Sequence, residues 1–149
     1  MLTQKQDLQN NIEPRLRTMR TMWIAMMLSI GMYYVFTILR GGREGVSPSH
    51  TLFLVLVGIG LLTTLISFLL KKLLLGRAVA QHQVGQVQQA YVVAWALTEV
   101  PALLGMLNFF VDGNRYYFIL MIVAAAGQLL HFPRREDVLN ASYNRSVSA

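Results

Sequence analysis

Residues 90–110 form an unbroken 21-residue stretch, AYVVAWALTEVPALLGMLNFF, whose only clearly polar side chains are Thr98, Glu99 and Asn108. As a helix, that length crosses a hydrocarbon core about 30 Å thick. Three further apolar runs occupy residues 21–39, 51–70 and 116–132. Within lipid, every backbone polar group must be bonded inside the protein, and helices satisfy this within a single segment. The expected fold class is therefore all-α: an integral membrane four-helix antiparallel bundle, or two packed hairpins, forming one transmembrane domain over the whole chain. Its N- and C-termini are expected on the cytoplasmic side.

Composition supports this class. Hydrophobic residues make up 54% of the chain and charged residues 13%, against about one quarter charged in ordinary soluble domains. The net charge is +6. In a soluble protein this would suggest nucleic acid. Here the basic residues flank apolar runs, and no basic face or known binding motif occurs, so no nucleic-acid partner is expected. Anionic lipid headgroups are the plainer partner. The absence of cysteine removes disulfides, thiolate metal sites and iron–sulfur clusters. The first apolar run follows about twenty polar residues and lacks a cleavage pattern, so it is expected to remain in the mature protein.

Orientation follows from Lys and Arg. One side collects Lys5, Arg15, Arg17, Arg20, Lys71, Lys72, Arg77, Arg134, Arg135 and Arg145; the other has Arg40, Arg43 and Arg115. Ten against three places both termini and the middle connection in the cytoplasm, in a cell inner (plasma) membrane. Pro14 suits a first helical turn, so a helix is expected from about residue 14 into the membrane. The segment before it reads as a short surface helix or disorder. Residues 41–50 read as a loop. Residues 71–89, rich in glutamine, read as helical extensions joined by a turn near Gly76 or Gly85, or as a projecting hairpin that docks a partner. Asp112, Gly113 and Asn114 supply a tight reversal. Pro133 ends the fourth run, and the last dozen residues are expected to fray. Four of the eight methionines lie in the first run and read as adaptable packing filler.

Glu99 is the only acidic residue inside any apolar run. It lies about 14 Å from the start of its run at helical rise, near the midplane. Placing an acid there costs about 2.5–3.5 kcal/mol. Pro101 removes the amide that would bond the Leu97 carbonyl, and a helix kink is expected there. Ser29 and Thr64 lie at comparable depth, about 12 and 10 Å in from their own ends, and could support Glu99 in a polar layer; Gln128 sits shallower. One reading is that Glu99 binds a proton or ion. The other is that it stays protonated and bonds to a neighbouring helix or a partner subunit. His82 and His131 fall at the membrane edge and His50 outside it, so neither haem nor a metal site is expected, and no catalytic constellation is evident. No cofactor is expected.

The segment Ala94-Trp-Ala-Leu-Thr-Glu-Val-Pro-Ala-Leu-Leu-Gly105 resembles the carboxylate helix of rotary ATPase proteolipid (c-type) subunits over about a dozen residues. That resemblance implies a proton or sodium carrier at Glu99. The match departs in the partner helices, where only Gly58 and Gly60 correspond to the family's glycine array, and in the acid's place on the third run. More broadly the chain is similar to small four-span bacterial inner-membrane proteins, a likeness that implies no particular activity. The leading expectation is a non-enzymatic accessory or structural subunit of a larger membrane assembly, with protein partners or further copies of itself. The small-residue faces Ala94/Thr98/Ala102 and 124–127 are candidates for that contact, or for packing within the bundle.

Overall fold

The structure is a computed structural model and describes residues 2–41, 49–81 and 83–143. Most of the loop at 41–50, His82 and the end of the tail lie outside the described residues. Five helices form: α1 (Leu2–Arg40), α2 (His50–Ala80), α3 (Val84–Asp112), α4 (Tyr117–Leu130) and α5 (Arg135–Tyr143). Three segments are long and apolar enough to cross a membrane: Ile12–Arg40 within α1, and the whole of α2 and of α3.

The helix ends follow local chemistry. Gly41 and Gly113 adopt left-handed φ values of 67° and 59°, the conformation that ends a helix without a Cβ penalty. The Gly113 N–H returns to the Phe109 carbonyl at 3.1 Å. Ser49 caps α2, its side chain accepting the Leu52 N–H, as a hydroxyl does at an N-cap. Asn114 Oδ1 accepts the Tyr116 N–H at 2.9 Å and so shapes the turn into α4.

α3 is the centre. It packs against each of the other four helices. In the most apolar window of each span, 44% of α3 is buried inside the protein, against 11% for α1 and 17% for α2. α1 and α2 accordingly present Leu28, Met32, Leu39, Leu54, Leu65 and Leu69 to the outside. An apolar surface this extensive marks a contact with lipid or protein. Met22 and Met32 are also exposed, so these two methionines are not core filler.

Three expectations are corrected. α1 runs from Leu2 through Pro14 as one helix instead of starting near residue 14. Ile12, Leu16 and Met19 are buried there, and that apolar face stabilises a helix across a proline its local propensity would resist. Residues 138–143 do not fray. They belong to α5, where Val138 and Ala141 join Ile12, Met19, Ala78, Val87, Tyr91 and Trp95 in one cluster. The α2–α3 break falls at 81–83, between Gly76 and Gly85, both of which lie inside helices. The same cluster brings the described ends of the chain beside the α2–α3 break; this is the terminal end of the bundle. The α1–α2 and α3–α4 connections share the opposite, loop end, where Ser49 meets Asp112.

Close approach along the bundle axis depends on three glycines. A Cβ on Gly60 would meet Leu120 at 3.0 Å and Pro101 at 3.3 Å; one on Gly105 would meet the Tyr117 carbonyl at 2.9 Å; one on Gly127 would meet Thr98 at 3.0 Å and Thr64 at 3.2 Å. Pro101 is thus a buried packing surface for α2. The small residues Ala94, Thr98, Ala102 and Ala124 are all 0% exposed, and together with Gly127 they pack within the bundle. These positions are not an outward face, whereas Ala125 of the 124–127 stretch is partly buried and Ala126 is exposed.

Candidate functional site

Ser29 and Tyr33 lie four residues apart on α1, so they share one face. That face meets α3 at Glu99. The Ser29 hydroxyl lies 2.6 Å from Glu99 Oε1 and the Tyr33 hydroxyl 2.8 Å from the same oxygen. Ser29 Oγ is also 2.8 Å from the Met26 carbonyl. A serine hydroxyl has a single proton to donate. If Ser29 donates to Glu99, Oε1 takes two donors, an arrangement that suits a carboxylate. If Ser29 donates to Met26, a protonated Glu99 can donate to Ser29 Oγ while still accepting from Tyr33. Both arrangements use the same atoms, so the cluster accommodates either protonation state without movement. The three side chains are half-buried, and beside them Ile30, Ala102 and Ala124 form a small apolar core that Tyr33 also packs against.

The other two residues expected near Glu99 sit elsewhere. The Thr64 hydroxyl donates to the Gly60 carbonyl of its own helix at 2.9 Å. Gln128 belongs to a separate, fully buried network between α3 and α4. The Thr98 hydroxyl lies 2.6 Å from the Gln128 side-chain amide and 2.9 Å from the Trp95 carbonyl. The Gln128 backbone carbonyl accepts Trp23 Nε1–H at 2.8 Å. Trp95 Nε1–H donates to the His131 carbonyl at 3.0 Å.

His131 reads from sequence as an edge residue, yet it is 0% exposed. Its Nδ1 lies 2.8 Å from the Gly127 carbonyl and its Nε2 3.3 Å from Ser67 Oγ. A carbonyl only accepts, so Nδ1 carries the proton. In a Ser–His triad, Nδ1–H faces a carboxylate; here it faces backbone. Among the described residues, no three His, Asp or Glu side chains converge as a metal site would require.

Three residues, one beside Glu99 and one at each end of the bundle, carry weak sequence signals. Tyr33 looks like an interfacial aromatic, although its i+4 spacing from Ser29 places it on the face toward Glu99. Asp112 looks like a turn former, yet it is buried and its Oδ2 accepts the Ser49 N–H at 2.7 Å, anchoring the start of α2 where the helix dipole favours an anion. Tyr91, also fully buried, donates to Asp137 and accepts the Arg134 N–H at 3.1 Å, with Lys71 Nζ 4.0 Å above its ring. These bonds hold α5 under the bundle. No family model, curated protein or solved structure matches this chain.

Proposed function

We propose that the chain is a non-enzymatic integral protein of the inner (plasma) membrane that serves as an accessory or structural subunit of a larger assembly. The observation that supports this reading is the Ser29–Tyr33–Glu99 cluster. The one intramembrane acid finds its partners within its own chain, across the α1–α3 contact, and so acts as a clasp between helices. At Gly60, Gly105 and Gly127 neighbouring helices approach closely along the axis. The apolar flanks of α1 and α2 remain for lipid or protein.

In this reading the protein crosses four times with cytoplasmic termini. α4 has 14 residues and spans only about 21 Å at helical rise. α5, bent from it by 45°, lengthens that crossing at the terminal end. The positive charge collects at the same end. Arg20 stacks 5.8 Å over Phe132, and the one ion pair among the described residues, Arg135–Glu13, is loose at 3.8 Å. Cations so lightly paired are suited to anionic headgroups.

Native mass spectrometry of the protein extracted gently from its own membranes tests the assembly role. Stoichiometric larger polypeptides support it. A mass near 16.8 kDa, or clean multiples of it, sinks it.

The alternative is a proton- or ion-translocating proteolipid acting through Glu99, working as several copies. The Ser29 hydroxyl favours it, because it lies within hydrogen-bond distance of both the Met26 carbonyl and Glu99 and can donate to either. Proton flux into liposomes that Glu99→Gln abolishes would establish this alternative in place of the first.

A further inference from the structure

Among the described residues, four buried side-chain polar atoms have no hydrogen-bond partner in the protein, and three of them lie at the loop end: Nδ2 and Oδ1 of Asn108 and Nδ2 of Asn114. Asn108 is 0% exposed and Asn114 1%. Between them in sequence is the buried Asp112, with one carboxylate oxygen on the Ser49 N–H. Asn108 and Asp112 are four apart on the same buried face of α3, which puts their Cβ atoms about 6 Å apart. Asn114 follows the left-handed Gly113, which turns the chain back across the end of α3. Its Oδ1 is committed to the Tyr116 N–H, so the orientation of its amide is fixed and Nδ2 is left over.

Burying an amide with nothing to bond is costly, and such groups in native interiors signal a bound partner. The chemistry of the set identifies that partner. It offers NH2 donors, an amide acceptor and a carboxylate together. A bare cation would face two NH2 groups, and an anion would face Asp112. Water both donates and accepts, and a buried water makes about three such bonds.

We propose that the loop end of the bundle is a water-binding site, a closed polar chamber walled by Asn108, Asp112 and Asn114 and shut by Ser49. Toward the bundle centre it stops at Gly105, which lies against the Tyr117 carbonyl and Leu120. The chamber therefore hydrates the anchor of α2 without opening a path to the level of Glu99.

Water-edited solid-state NMR of the full chain in lipid, with asparagine 15N-labelled, tests this. The chain has six asparagines, and the two of interest are assigned through the backbone without any variant. Rapid magnetisation transfer from water to the side-chain NH2 groups of Asn108 and Asn114, combined with slow exchange into deuterated solvent, is the expected result. No transfer to Asn108 overturns the proposal. Side-chain shifts that follow added sodium or calcium, with potassium as control, also overturn it, in favour of a cation. Asn108→Leu provides an independent sign. A hydrated chamber loses several degrees of Tm with this substitution, whereas a dry one gains, because an unbonded amide has been removed.

Discussion

Thr98 and Glu99 are neighbours on α3, about 100° apart around the helix, and they serve two different polar regions. Thr98 faces inward to Gln128, in a network with Trp95, Trp23 and His131 whose α3–α4 members are completely buried. Glu99 faces α1 and is half-buried, held by two hydroxyls. The inner region combines hydrogen bonds with Trp95, the largest fully buried side chain among the described residues, and with the buried His131 and Gln128. The outer one is a single carboxylate held by a serine and a tyrosine hydroxyl. Both bond across helices, but the inner side chains on α3 and α4 are fully buried, whereas the outer three are half-buried beside a small apolar core. The inner network should therefore carry stability, and the outer clasp should set how α1 sits on the rest.

The largest expected effect lies on the inner side. Trp95→Ala removes a fully buried indole and its bond to His131 and should cost about 3–5 kcal/mol, measured by reversible unfolding in mixed micelles. A loss under 1 kcal/mol would erase the distinction between the regions. Next is Gly105→Ala. Its new Cβ meets a backbone carbonyl at 2.9 Å, which cannot retreat as a side chain could, so a loss of about 1–3 kcal/mol is expected in the same assay. Tyr33→Phe tests the outer region. It removes one donor from Glu99 and should cost about 1 kcal/mol, with the environment-sensitive fluorescence of Trp95 unchanged because that indole lies in the other region. The smallest effect is expected at Gly58→Ala, where nothing lies within 4 Å of the added carbon. Helix propensity alone should give a gain of about 0.5–1 kcal/mol. A loss there would show that this face is covered.

The sequence and the structure agree where hydrophobic length decides the outcome. Apolar runs long enough to cross a membrane became α1, α2 and α3, even with Pro14 inside α1 and Pro101 inside α3, and the Asp-Gly-Asn reversal produced the left-handed Gly113. Ser29 was legible because depth along a helix can be counted from its end. Azimuth was less so. Glu99 and Thr64 share approximate depth and Gln128 lies shallower, but Thr64 bonds back to its own helix and Gln128 faces Thr98, one residue and about 100° away from Glu99. Helix-to-helix rotation depends on which small residues permit contact, and Gly60, Gly105 and Gly127 set it through neighbours distant in sequence. α5 was hidden for a different reason. Its residues are mostly polar, and it docks through a few apolar side chains, Val138, Leu139 and Ala141, together with the Asp137–Tyr91 bond, too little to form a visible period. Asp112 was read from its local turn chemistry, although its partner is the amide of Ser49, 63 residues away.

In the proposed function, Glu99 is a clasp made within one chain. A double-mutant cycle between Tyr33→Phe and Glu99→Leu, read as unfolding free energy in bilayers, measures that contact directly. The account predicts a coupling of about 0.5–3 kcal/mol, the range for side chains in one hydrogen-bonded group. Additive losses, with no coupling beyond about 0.3 kcal/mol, would contradict it and leave Glu99 to a partner, to lipid or to an ion.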